Sequence, residues 1–309
     1  MYCKQCGAEL AEGARYCYRC GMAVGGVAQP PNGMQKLKNQ NKAVILIVII
    51  VAVLVVAGVV CWITGVFAPK TDEYEPDLPK LALEVGDLYE MGGYTWKVLE
   101  IKDEKAFIIT RDVIDTRAFD GAGKTNTWKS SPLRSWLNDD FYSGFSSQEK
   151  SRIVETNVMN NDNPWYGTDG GPDTVDNVFL LSIEEVVSYF GDSGALDNWN
   201  GEDNSIRDEY GDNRQAVLNM TDEQQENAVK RMVTSGFSMN SDGTRMTYEE
   251  AREHFERRIG DVYWWWLRSP GARSDLAAHV HGGRSGVNIF GDLIGYETYG
   301  VRPAMWILL

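Results

Sequence analysis

Ala43–Phe67 reads AVILIVIIVAVLVVAGVVCWITGVF, 25 residues without a charged side chain. As an α-helix the run is about 37 Å long at 1.5 Å per residue, longer than the roughly 30 Å hydrocarbon core of a bilayer. In lipid a helix satisfies its backbone groups internally, whereas in water this run would need protein on every side. It predicts one transmembrane helix. It is too long for the apolar segment of a cleaved signal peptide, and 42 residues precede it rather than a short basic stub. Lys36, Lys38 and Lys42 stand before it, while Lys70 on the far side is followed by TDEYEPD. The basic flank stays inside. The expectation is a single-pass protein of the cell membrane with a cytoplasmic N-terminus and an extracellular C-terminal part. Trp62 suits an interfacial anchor, and Cys61 is a small apolar residue of the same run.

Outward from the run, charge and cysteine divide unevenly. The 309 residues carry a net charge of -14; residues 1–42 account for +4, so the remainder carries -18. An acidic surface of that size repels phosphate backbones and argues against a nucleic-acid partner. Four of the five Cys lie in the first 20 residues, and residues 62–309 hold none. The C-terminal part therefore cannot be a disulfide scaffold or use a cysteine nucleophile. With 43% hydrophobic residues the chain is too apolar to be disordered.

On the inner side, MYCKQCGAELAEGARYCYRCG pairs Cys3 with Cys6 and Cys17 with Cys20. In each C-x-x-C-G knuckle the tight turn aims two thiolates at one point, with Gly7 or Gly21 supplying a permissive backbone. Four thiolates suit tetrahedral Zn(II), whose binding energy folds a piece too small for a core. Two redox dithiols are the competing reading, but no βαβ pattern surrounds them. Residues 1–22 are thus a zinc ribbon and 23–42, rich in Gly, Pro and Asn, a flexible linker. The segment resembles the zinc-ribbon heads of many bacterial membrane proteins. The resemblance implies a structural role, or docking of a cytosolic protein partner.

On the outer side, Pro69, Pro76 and Pro79 mark a stalk over 68–84, and a folded domain is expected over 85–309. Val85–Met91, Tyr94–Lys102 and Ala106–Arg111 read as a meander of strands parted by Gly92-Gly93 and Asp103-Glu104-Lys105. Ser131-Pro132 opens a helix. Ser146-x-x-Glu149, Ser182-x-x-Glu185, Thr221-x-x-Gln224 and Thr247-x-x-Glu250 match capping boxes before helical stretches. Strands return over Val262–Arg268, Ala277–His281, Val287–Phe290 and Val301–Leu308. Strands, then helices, then strands predict an α+β domain with its two ends paired in one antiparallel sheet.

WKSSPLRSWLNDDFYSGFSSQEKSRI, DNVFLLSIEEV, YWWWLRSPG and YGVRPAMWI occur in this order. Together they resemble a bacterial domain family of unknown function that often follows a zinc-ribbon head and one membrane span. The ending is also similar to the C-type lectin-like fold, shared by formylglycine-generating enzymes and the variable ligand-binding proteins of diversity-generating retroelements. That likeness implies a C-type lectin-like mixed domain with a mainly antiparallel sheet, displaying its ligand contacts after the WWW run. The candidates it implies are Arg273, His279, His281, Arg284, Asn288, Tyr296 and Glu297, for an extracellular glycan, peptide or protein. By strand alternation Trp264 and Trp266 share a face with Arg268. Arg268, Arg302 and the Trp run read as structural, the arginines tying terminal loops to carbonyls or acids.

Other motifs point less far. Gly121-Ala122-Gly123-Lys124-Thr125 lacks the first glycine of a phosphate loop, since position 118 is Ala. His279-x-His281 offers a metal two imidazoles without an identifiable third ligand. Asp162, Asp169, Asp173 and Asp176 among Gly167, Gly170, Gly171 and Pro172 suit Ca(II), yet Asp and Gly are also ordinary turn formers. The copper chemistry of formylglycine-generating enzymes needs cysteines this domain lacks, and no G-x-S-x-G elbow appears. The expectation is a membrane-anchored binding protein rather than an enzyme. An envelope scaffold or signalling protein, or an external enzyme, stand as alternatives.

Overall fold

The computed structural model describes residues 78–123, 127–191, 205–206, 209–235, 237–238, 240, 242–283 and 286–309. The expected zinc ribbon, linker, transmembrane helix and most of the stalk lie outside the described residues, which all belong to one unit, Glu75–Leu309. Among the described residues no helix is long and apolar enough to cross a membrane.

In chain order the strands are β1 (Leu88–Met91), β2 (Tyr94–Lys102), β3 (Lys105–Thr110), β4 (Asp115–Thr116), β5 (Ile153–Val154), β6 (Thr156–Val158), β7 (Thr174–Asp176), β8 (Ser205–Ile206), β9 (Trp265–Pro270), β10 (Leu276–Val280), β11 (Val287–Leu293), β12 (Gly300–Val301) and β13 (Ala304–Leu308). The helices are α1 (Pro132–Trp136), α2 (Ser147–Lys150), α3 (Ile183–Phe190), α4 (Asp222–Thr234) and α5 (Tyr248–Glu256). A π-helical turn, Leu137–Phe141, continues α1.

Local chemistry accounts for most boundaries. Met91 faces Tyr94 across Gly92-Gly93 (φ 62° and 79°), and Lys102 faces Lys105 across Asp103-Glu104 (φ 49° and 58°). Positive φ at both central residues gives the two-residue hairpin whose twist matches the strands. All four capping boxes form, opening α2, α3, α4 and α5; each N-cap contributes about 1 kcal/mol. Ser131 caps α1, accepting from the N–H groups of Leu133 and Arg134, with Pro132 at the first helical position.

The α+β, mainly antiparallel architecture stands, but its strands divide into two principal sheets rather than the expected one. The first has the order β1-β2-β3-β13-β5 and is antiparallel throughout; the second has the order β4-β12-β9-β10-β11-β8, with only β12–β9 parallel. A separate pair joins β6 to β7. The ends of the domain do pair, with Trp306 of β13 opposite Phe107 of β3. Arg302 and Pro303 separate β12 from β13. Pro303 has no N–H for a ladder, and its carbonyl accepts from Thr110. The buried Arg302 guanidinium donates to the carbonyls of Thr110 and Arg111 at 2.9 and 3.2 Å. It also lies 5.0 Å over the Trp265 ring. Two chain segments thus step together from one sheet to the other.

Arg268 holds a second junction. It donates to the Leu180 carbonyl at 2.7 Å, to the Met159 carbonyl, and to Glu185. Glu185 is also the carboxylate that closes the capping box of α3. The core between these ties includes the fully buried Trp96, Trp128, Trp265 and Trp266.

Candidate ligand-binding site

After β11 the chain passes through 294–299 before β12. This loop, α4, α5 and the approach to β9 enclose a cleft of about 500 Å³. Its walls are largely aromatic. Tyr299 stacks on the buried Trp266 at 4.2 Å between ring centres and lies parallel to Tyr296 at 6.3 Å. Phe237 meets Tyr296 edge-on, and Trp264 meets Tyr263 in the same way. Rings fixed on one another in this manner bring large contact area at little further loss of freedom.

Polar groups enter the cleft at fixed points. The Tyr299 hydroxyl donates to Asp292 Oδ2 at 2.6 Å, and Asp292 Oδ1 accepts from the Leu293 N–H at 2.8 Å. Burial, followed by the Asp292 charge, pushes the Tyr299 and Tyr296 hydroxyls above the ordinary tyrosine range. His254 Nε2 stands 3.5 Å from the Tyr263 hydroxyl. Burial and the positive charges of Arg258 and Arg257 pull His254 down to about 4. The Arg258 guanidinium lies 5.4 Å over the Trp264 ring.

Glu297 is tied into a charge network behind the cleft. It accepts from the Ala118 N–H at 3.0 Å and faces Arg231 Nε at 3.8 Å. Arg231 and Arg117 flank the buried Asp115 at 2.6 and 3.0 Å. Burial raises Glu297 despite the two arginines. Arg117 also stacks on Trp136 at 3.7 Å.

Of the seven residues implied by the lectin-like ending, Tyr296 and Glu297 line the cleft. His279 is not on a surface loop: it sits in β10, 2% exposed, edge-on to both rings of the stacked Trp266–Tyr299 pair. Its Nδ1 has no hydrogen-bond partner among the described residues, and burial pulls the ring down to about 3. His281, just past β10, packs edge-on against Trp264 and accepts from the Gly283 N–H. Arg273 pairs with Asp275 on the exposed turn before β10, and Asn288 accepts from the Gly291 N–H. Arg284 lies outside the described residues. Sequence reasoning missed His254, Arg258, Asp292 and Tyr299, and assigned Trp264 to structure. Their common signal, aromatic and charged residues on both sides of the terminal strands, has no fixed spacing.

The metal motifs find no shared centre. Asp162, Asp169 and Asp173 each accept a backbone N–H of their own loops, from Gly170, Gly171 and Asn160. Asp176 accepts from Trp128, Thr174 and Arg134. Among the described residues no three His, Cys, Asp or Glu side chains converge as metal ligands. In the GAGKT stretch, Lys124 and Thr125 lie outside the described residues.

The fold and cleft define a two-sheet, mainly antiparallel α+β domain with an aromatic-walled recess beside its terminal strands. Residues 103–309 match the family described as a domain of unknown function (DUF6273), and the chain belongs to that family. Residues 2–24 match the zinc-ribbon domain, which covers Cys3, Cys6, Cys17 and Cys20. The donor set of four thiolates suits Zn(II). No curated protein and no solved structure matches the chain.

Proposed function

We propose that the chain is a single-pass membrane protein whose external domain captures a small ligand in this cleft, with the zinc ribbon as a structural module on the cytoplasmic side. The uncharged run Ala43–Phe67, its basic inner flank and the restriction of Cys to residues before 62 support the anchoring and its direction. The observation that carries the binding reading is the cleft itself. Recesses of roughly 300–1,000 Å³ with aromatic walls and a few placed polar groups are the usual form of small-ligand sites. Two of the seven residues implied by the lectin-like resemblance, Tyr296 and Glu297, line the cleft.

Capture suits the residues better than catalysis. His254 is neutral at physiological pH and faces a tyrosine hydroxyl rather than a serine or a carboxylate. The test is a thermal-shift screen of the full-length protein against oligosaccharides, peptides and small metabolites. At least one class should raise the melting temperature, and Trp264→Ala or Tyr296→Ala should abolish that rise while the unliganded protein still melts cooperatively. Hits that survive both substitutions would place binding elsewhere and overturn the reading.

A further inference from the structure

The cleft contains two charges of opposite sign, and neither has a counter-ion among the described residues. The Asp292 carboxylate is held by two neutral donors, the Tyr299 hydroxyl and the Leu293 N–H. They orient its charge without cancelling it. Arg258, on another wall, has only the face of Trp264 as a side-chain partner, at 5.4 Å. Several other partly buried ions of the domain are paired. Glu297 and Asp115 share Arg231 and Arg117, Glu185 faces Arg268, and Asp176 faces Arg134. The two walls are neighbours, because Gly300, next to Tyr299, donates its N–H to the Trp264 carbonyl at 2.9 Å.

A partly desolvated charge without a partner is costly, and a ligand that supplies both partners recovers the cost at each end. We infer that the ligand is a short peptide with free termini, its ammonium group on Asp292, its carboxylate on Arg258 and its side chains against Trp264, Tyr296 and Tyr299. The inference rests on the cleft being the binding site. Guanidinium and carboxylate match in a bidentate fork, and the aromatic rings that line the same cleft accept an apolar body. A space of about 500 Å³ takes a drug-sized molecule, hence a peptide of about two or three residues. A neutral oligosaccharide would leave both ions unpaired, and a ligand with a single charge would leave one.

The test is calorimetric titration of the full-length protein with a panel of free di- and tripeptides carrying one aromatic residue. The same peptides are titrated N-acetylated or C-amidated, alongside single amino acids and neutral oligosaccharides. Free peptides should bind, and blocking either end should weaken binding about tenfold or more. Asp292→Asn, which keeps the shape of the carboxylate, should weaken free peptides to the level of the acetylated ones and leave the acetylated ones unchanged. Arg258→Gln should do the same for the amidated series. Equal binding of free and blocked peptides overturns the inference, as does binding of single amino acids as tightly as peptides. Oligosaccharide binding lost in Trp264→Ala would overturn the peptide and keep the cleft; peptide binding indifferent to Trp264→Ala would overturn the cleft.

Discussion

Two histidines are held uncharged, His279 by full burial and His254 by partial burial beside Arg258 and Arg257, and that shapes how the domain responds to acid. His279 lies edge-on to the stacked Trp266–Tyr299 pair, and His254 packs edge-on to Phe255 beside the Tyr263 hydroxyl. Burial pulls His279 from the ordinary 6.5 down to about 3, and burial with the charges of Arg258 and Arg257 pulls His254 down to about 4. As pH falls below 6.5, the unfolded chain takes up protons that the folded one refuses. Stability is therefore lost from pH 6.5 down to about 4 for His254 and about 3 for His279, and these groups add nothing further above 6.5. His279→Phe keeps a flat ring in the slot and removes both the titration and the unpartnered Nδ1. The expected result is a melting temperature within a few degrees of wild type at pH 8 and a shallower fall between pH 6.5 and 4.5. Parallel pH profiles for the two proteins would show that His279 is not the group responsible.

At the scale of elements, β11 bulges against β10, with three residues between Asn288 and Asp292 where β10 has one between Ala277 and His279. The register between the two slips between Ala277 and His279, and Gly291 of β11 sits opposite with φ 81°. A Cβ there would lie 2.5 Å from the Ala277 carbonyl oxygen. Gly291→Ala should destabilise the domain by about 2–4 kcal/mol, from a strained backbone and a contact that backbone cannot yield. Urea denaturation should show a lower midpoint with an unchanged slope. Elements of this local kind were legible in the sequence. A serine or threonine three residues before Glu or Gln is a complete instruction, and all four such boxes form where they stand. The two-sheet division was not legible, because it depends on Arg302 meeting carbonyls near Thr110 from the other end of the domain. The cleft was legible only at Tyr296 and Glu297; Met232, His254 and Trp264 reach it from α4, α5 and the approach to β9, which no spacing rule connects.

At the scale of the whole molecule, the proposed anchor makes a directional prediction. Protease added to intact cells should remove the 75–309 domain and leave the cysteine-bearing head associated with the membrane, as blots against each part would show. Loss of the head with the domain spared would reverse the orientation; recovery of the intact chain in the soluble fraction would remove the anchor. The pairing of β3 with β13 has its own consequence for biogenesis. β13 lies between β3 and β5, so the first sheet has no centre until the far end of the domain arrives. A nascent chain must carry the β1–β3 hairpins with an open hydrogen-bonding edge through synthesis of everything between, a state prone to aggregation and slow to close. The β3 edge therefore stays open to wrong strand partners until the last residues of the domain are made.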